Sequence, residues 1–272
     1  AGAWDDAAWA LLKAVEGEPG LIAARVELVA VQLRLGRFEK AIENADRLKR
    51  EAPDHPAGWG TRGEVYFAQG KLEKALSEYR QSLEKAETEQ GAIRVFQVLA
   101  RLDAPRAGDW LEGWVKKHPG HLRVREALAE RYAQSDRFEA ARSQYEFLLR
   151  FRPRDPVLLA NLGYVLHSSG EPGALDLLVR ARALAPDDAR INDSLGWTLV
   201  QTGDAKRGLI YLRTAHSLAS QSSEIGYHIA VALESLGRTR EARQELESVL
   251  SRKQSFKGRE DAEKRLAGLT QD

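Results

Sequence analysis

The 272-residue sequence predicts an all-helical fold, a solenoid of stacked helix–turn–helix repeats, from three observations. Small residues recur with a fixed beat at Ala7, Ala41, Ala75, Ala107, Ala141, Ala174, Gly208 and Ala242, with spacings of 34, 34, 32, 34, 33, 34 and 34. Glycine keeps the same beat at Gly36, Gly70, Gly170, Gly203 and Gly237, with Asp136 in the missing place, and proline follows at Pro19, Pro53, Pro119, Pro153 and Pro186. The apolar residues, 43% of the chain, are mostly Leu, Ala and Val, with aromatics at 7%, a mix that favours helix over sheet. A period in this range marks a repeat array, in which each unit buries its apolar face only against its neighbours.

In register, the segment 1–21 reads as half a repeat and a turn, with Trp4 to Glu16 as a second helix whose first helix is missing. Seven whole repeats fill 22–253, at about 22–55, 56–89, 90–121, 122–155, 156–188, 189–222 and 223–253. The last segment, 254–272, is predicted to cap the array through Phe256 to Leu269, with apolar Ala262, Leu266 and Leu269. The repeats at 90–121 and 156–188 are short by two residues and one, and both deletions are expected near the turn between helices. A start in mid-repeat, and the absence of methionine, lead us to expect a fragment or processed product with more repeats upstream.

Each marker residue has a physical reason. Gly63 lets the two helices of its repeat approach closely. Gly70 ends the first helix in a tight left-handed turn. Ala75 sits where the helices cross and a larger side chain would part them. Pro53 and its equivalents stop the second helix.

Trp59, Gly63, Tyr66, Gly70, Ala75, Tyr79 and Leu83, within 56–89, resemble the consensus of the tetratricopeptide repeat. The resemblance implies a right-handed superhelix with an inner groove lined by the first helices, at the second, fifth, ninth, twelfth and thirteenth positions of each repeat. Applied here, the groove begins small and apolar at Ala23, Val26, Ala30, Ala57 and Gly60, joined by Glu64 and Phe67. It becomes charged at Arg94, Arg123, Glu126, Glu130 and Gln134. It ends with Tyr164, His167, Asp193, Trp197, Gln201, Tyr227 and Glu234, the candidate partner-binding residues. Aromatic anchors ringed by polar groups suit a protein hot spot, and also a sugar-binding surface. The alternative is that these rings only pack between repeats. None of these groove positions is lysine, which argues against the clamp by which co-chaperone repeats hold an acidic C-terminal peptide.

Several function classes are excluded by what the sequence contains. Lys and Arg, 41, nearly cancel Asp and Glu, 40, so no global field collects nucleic acid or anionic lipid. With no cysteine there is neither a disulfide frame nor a thiolate metal site, and no apolar run is long enough to insert in a membrane. Gly58, Gly60 and Gly63 match a dinucleotide fingerprint, but they fall inside a predicted helix with no strand before it. His55, His118 and His121 lie in inter-repeat turns and are expected to be solvated rather than ligating. Arg137, Glu139, Arg142 and Glu146 read as a solvated, ion-paired helix face. Asn192-Asp193-Ser194 is a formal glycosylation sequon inside a helix. No catalytic motif appears, so we expect no enzyme, no cofactor and no metal.

A narrower resemblance rests on the second half. P-V-L-L-A-N-L-G-Y-V-L-H-S-S-G-E-P-G-A-L-D-L (Pro156 to Leu177), with a shortened turn, is followed by A-L-A-P-D-D-A-R-I-N-D-S-L-G-W-T-L-V-Q-T-G (Ala183 to Gly203) and G-L-I-Y-L-R-T-A (Gly208 to Ala215). Then come S-E-I-G-Y-H-I-A-V-A-L (Ser223 to Leu233) and G-R-T-R-E-A-R-Q-E-L (Gly237 to Leu246). This order is similar to the C-terminal part of the tetratricopeptide lipoproteins of bacterial PEP-CTERM/exosortase exopolysaccharide systems, best over residues 105–269. It implies a periplasmic protein, outer-membrane-associated through an upstream lipid anchor, that scaffolds exopolysaccharide assembly or export. Its partner would be an export or modifying protein. A module that guides the polysaccharide itself along the groove, and a cytoplasmic repeat adaptor, are the alternatives.

Overall fold

A computed structural model describes residues 2–252 and 254–269; Ala1, Lys253 and the last three residues of the predicted capping segment lie outside it. The described residues form helices and no strand. The helices are α1 (Gly2–Gly17), α2 (Ile22–Arg34), α3 (Phe38–Glu51), α4 (Ala57–Ala68), α5 (Leu72–Lys85), α6 (Glu89–Leu102), α7 (Ala104–Lys117) and α8 (Leu122–Gln134). They continue as α9 (Phe138–Leu149), α10 (Pro156–Ser168), α11 (Ala174–Leu184), α12 (Ala189–Gln201), α13 (Ala205–Leu218), α14 (Ser223–Ser235), α15 (Thr239–Ser251) and α16 (Arg259–Leu269). Packing divides the chain into two compact units, 1–128 and 129–272. No described helix is long and apolar enough to cross a membrane.

The turns explain the glycine beat. Gly36, Gly70, Gly170, Gly203 and Gly237 all have φ between 68° and 92°. Asp136, standing in the sixth such turn, has φ 56° and is the one non-glycine residue with positive φ among those described. In all six turns the next residue donates to a carbonyl five residues back, as Lys71 N does to Tyr66 O at 2.9 Å and Arg137 N to Tyr132 O at 2.9 Å. This satisfies the last carbonyls of the helix and needs the left-handed residue.

Several helix starts, those around the later repeats above all, are fixed by side-chain caps. Asp155 accepts from Val157 N and Leu158 N, with Pro156 opening α10. Asp188 accepts from Arg190 N and Ile191 N, and Ser222 from Ile225 N. A second device ties three of the first helices to the turn before them. The fourth residue of three repeats reaches back to the inter-repeat proline carbonyl: Arg25 to Pro19 O at 3.2 Å, Arg125 to Pro119 O at 3.1 Å and Asn192 to Pro186 O at 2.7 Å.

The beat alanines are the core of each pair. Ala41, Ala75, Ala141 and Ala242 are fully buried. Opposite them glycine is required by contact. A Cβ at Gly63 would lie 2.4 Å from the Tyr79 ring, and one at Gly163 would lie 2.8 Å from Leu178 Cγ. First helices also touch the first helix of the next repeat, α10 with α12 and α12 with α14, so their inner faces form one surface.

Not every glycine is structural. Gly113 lies inside α7, and a Cβ there would meet nothing within 4 Å. Gly113→Ala should therefore raise stability by about 0.5–1 kcal/mol, since it removes only unfolded-chain entropy; a fall in the melting temperature would show a contact missed here.

Two expectations are corrected. The deletion in 90–121 does shorten the turn, leaving Asp103 alone between α6 and α7. The deletion in 156–188 does not: Ser169 to Gly173 separate α10 from α11, and α11 begins only at Ala174. Pro172 and the left-handed Gly173, φ 96°, replace the first turn of that helix, so the lost residue comes out of the helix and the turn lengthens. The second correction concerns the turn histidines His118 and His121. Their rings stack 4.9 Å apart, His118 lies 4.4 Å from Trp114, and the Trp114 indole donates to His121 Nδ1 at 3.0 Å. They are packed into an aromatic ladder rather than solvated. The glycines of G-W-G-T-R-G lie within α4, where a Cβ at Gly58 would meet Lys49 N at 2.7 Å, so close helix packing accounts for them.

Candidate functional site

The inner faces of α10, α12 and α14 converge on one cavity of about 470 Å³. Tyr164 and His167 enter it from α10, Asp193 and Trp197 from α12, and Tyr227 from α14. Helical spacing brings them to one side: Tyr164 and His167 are three apart, Asp193 and Trp197 four.

Trp197 organises the wall. The His228 ring stacks on it at 4.1 Å with 18° between planes, and Tyr227 lies tilted at 6.0 Å. His228 Nδ1 sits 2.8 Å from Asp193 Oδ1, so a carboxylate from α12 fixes an imidazole from α14 against the indole. Trp197 remains half-buried, while His228 and Tyr227 are each only 7% exposed. His167 is half-buried, and desolvation holds its imidazole below the ordinary range, hence neutral at pH 7.

Three of the expected contact residues have other roles. The Tyr227 ring belongs to the core with Leu246 and Ala262, and its hydroxyl donates to Asp261 Oδ2 at 2.8 Å. It is a wall of the cavity more than a free contact surface. Glu234 accepts from Arg265 at 2.7 Å and pins α16 rather than lining the cavity. Gln201 is exposed and lies outside the residues that line it. The cap docks as a further first helix would: Gly258 presses on the Tyr227 ring, where a Cβ would lie at 2.6 Å.

Burial, and then the bond to Asp261, push the Tyr227 phenol up to about 12. A raised phenol favours the neutral form in the folded state, so this stabilisation is complete below the unfolded value near 10 and is lost as pH rises through about 12. Tyr227→Phe should cost roughly 1.5–3 kcal/mol at neutral pH, the range for a hydrogen bond to a charged acceptor. Hydrogen exchange should place the loss in α16. Unchanged protection there would mean that Arg265 alone holds the cap.

Seven further lining residues were not among the expected ones, four of them with ionisable side chains. Arg190 and Glu224 occupy the second position of their repeats, as Ala57 and Arg123 do, so the register itself could have named them. His228, at a sixth position, carried no such signal. Lys257 comes from the short non-helical segment before α16 and enters the groove from outside the repeat register. Its Nζ donates to the Tyr164 hydroxyl at 2.9 Å, so the groove does contain a lysine.

In the first unit the inner charges are matched across repeats. Arg94 ion-pairs with Glu64, and Arg101 lies 4.7 Å over the Phe67 ring. Among the described residues no group of three or more His, Asp or Glu side chains is set to hold a metal ion. The geometry offers an aromatic recess with a polar, mixed-charge rim.

A tetratricopeptide-repeat family model matches residues 26–92. In fold the chain is similar to a chain of the APC/C hetero-tetramer Cut9–Hcn1, with a TM-score of 0.69 and 16% identity over 98% of this chain and 52% of that one. The fold is that of a tetratricopeptide-repeat solenoid. A tetratricopeptide repeat protein from Parabacteroides merdae is similar at a TM-score of 0.56, with 17% identity over 85% of this chain and 93% of that one. In sequence the chain is 27% identical, over 217 residues, to the TPR repeat-containing protein PA4667 of Pseudomonas aeruginosa. That match covers 77% of this chain and 31% of PA4667, so the chain spans about a third of that relative's length.

Proposed function

We propose that this repeat array is a non-catalytic scaffold that holds a segment of another protein in the cavity of α10, α12 and α14. The observation that carries the reading is Trp197: a half-buried indole, braced by His228 and Asp193, at the mouth of a recess. A braced ring loses little entropy on binding and offers a large apolar face. A neighbour in fold was solved as a hetero-tetramer with another protein.

The setting is the bacterial envelope, facing the periplasm below a lipid anchor upstream of this piece, and the work is exopolysaccharide assembly or export. The runs from Pro156 to Leu246 support this through their likeness to the exosortase-associated lipoproteins. A bacterial relative about two and a half times as long supports reading the chain as part of a longer protein.

Immobilised chain should capture material from envelope extract that protease removes and glycan hydrolases leave. Carbohydrate held after protease treatment would overturn the protein-scaffold reading in favour of a glycan-guiding module. Full-length protein is expected in the membrane fraction and open to protease in spheroplasts. Recovery in the cytosol would make it a cytoplasmic adaptor. No turnover, stoichiometric metal or tight nucleotide binding is expected, which metal analysis and a nucleotide-induced melting shift would check.

A further inference from the structure

The charge around the Trp197 recess is unbalanced. A wider cavity, about 780 Å³, adjoins it and shares Tyr164, Arg190, Glu224 and Lys257 with it. Together the two are lined by four carboxylates, Glu130, Asp136, Asp193 and Glu224, against two cations, Arg190 and Lys257. His167 is held neutral by desolvation and adds no charge at pH 7. The Arg190 side chain is 82% exposed, so solvent screens much of its charge. Asp193 is engaged by His228, whereas Glu224 has no ion pair within 4 Å among the described residues.

The chain already seats one cation on these rings. Lys257 Nζ donates to the Tyr164 hydroxyl at 2.9 Å and lies 5.5 Å from the centre of that ring, within reach of a cation–π contact. That hydrogen bond, opposed by burial and helped by the Asp136 and Glu224 carboxylates, keeps the Lys257 pKa above its ordinary range, so the group stays an ammonium. The surroundings therefore favour positive charge. Trp197 is half-buried, and His228 covers one of its faces. Among the described residues no Lys or Arg stands over the indole.

Resting on the peptide-binding reading above, we infer that the recess takes a basic side chain of the bound segment, arginine before lysine, on the open face of Trp197 with Glu224 as its counter-charge. An indole is the best aromatic partner for a cation. A guanidinium adds a flat stacking surface and a fork that matches a carboxylate. Lys257 is then a competitor, because it shares Glu224 with the incoming cation and limits its affinity. An acidic side chain is disfavoured at the same place by the surplus of carboxylates.

The test uses the whole chain and end-capped heptapeptides of Ser and Ala that differ only at the central residue: Arg, Lys, Gln or Glu. Arg peptides should bind about tenfold tighter than Gln peptides, as expected for a cation–π contact joined to a charge-assisted pair. Lys peptides should fall between them and Glu peptides should bind weakest. Glu224→Gln should cut the Arg preference to about threefold, with its melt recorded alongside because Glu224 lies in the first turn of α14. Lys257→Met lies outside any helix and should tighten Arg peptides about threefold. Peptide binding that ignores the central residue, a preference for Glu, or weaker Arg binding by Lys257→Met would overturn this inference and leave the scaffold reading standing. Free arginine amide that binds as tightly as the Arg peptide would make the recess a small-cation site and overturn the peptide occupant. An array that binds nothing would also overturn the inference, while capture from envelope extract still decides the scaffold reading by itself.

Discussion

Gly196→Leu should cost about 3 kcal/mol or more, at the upper end of overpacking losses, and lower the melting temperature by about 6 °C or more. The reason lies in which atoms it strikes. A Cβ at Gly196 would sit 2.7 Å from Leu212 Cγ, 2.8 Å from the Gly208 carbonyl oxygen and 3.0 Å from Leu212 N. The last two are backbone and cannot turn away. Gly208 faces the same crossing from α13, where its own Cβ would lie 2.7 Å from the Gly196 carbonyl oxygen. Here glycine replaces the beat alanine because each of the two glycines lies against the other's backbone where α12 crosses α13. Gly63→Leu meets a ring, that of Tyr79, which can rotate, so its loss should be smaller. Circular dichroism melts of the two variants check the order. An unchanged melt for Gly196→Leu would mean that the crossing lies elsewhere and the repeat register is misplaced.

The same crossing shows why the fold could be read so directly. A solenoid repeats one packing problem, so each solution recurs at a fixed spacing: alanine at the crossing, glycine at the left-handed turn, proline between repeats. Even Asp136, the departure from the glycine beat, obeys the local need, since short polar side chains tolerate a left-handed backbone better than others do. The site does not repeat and so was less legible. Tyr164, His167, Asp193, Trp197 and Tyr227 could be placed on one surface because they sit at inner positions of consecutive repeats. Periodicity could not say that the Tyr227 hydroxyl is spent on Asp261, nor that Glu234 is spent on Arg265, because both partners lie in the cap. Lys257 belongs to no repeat, and only the folded chain brings it to Tyr164. The unwound start of α11 was missed for a related reason. A one-residue gap shows that something is absent, and Pro172 decides whether turn or helix gives it up.

Trp197→Ala should remove on the order of 2 kcal/mol or more of partner binding, roughly a thirtyfold loss or greater, as for a central aromatic anchor. Part of the ring is already committed to the fold: it packs on the core that includes Ile229 and Leu233, and one face is covered by His228. Truncation also leaves the Asp193–His228 pair without the surface it leans on. Some loss of melting temperature is therefore expected from Trp197→Ala, and the alanine variant alone would confuse the two roles. Trp197→Phe separates them. A phenyl ring can keep much of the stack with His228 and the contact with the core, but it presents less area to the recess. If Trp197 anchors a partner, Trp197→Phe should melt near the parent and still bind several-fold more weakly. If the ring only fills space between α12 and α14, binding should follow the melting temperature through both variants, and a phenylalanine variant with parental melting and parental affinity would take the site away from Trp197.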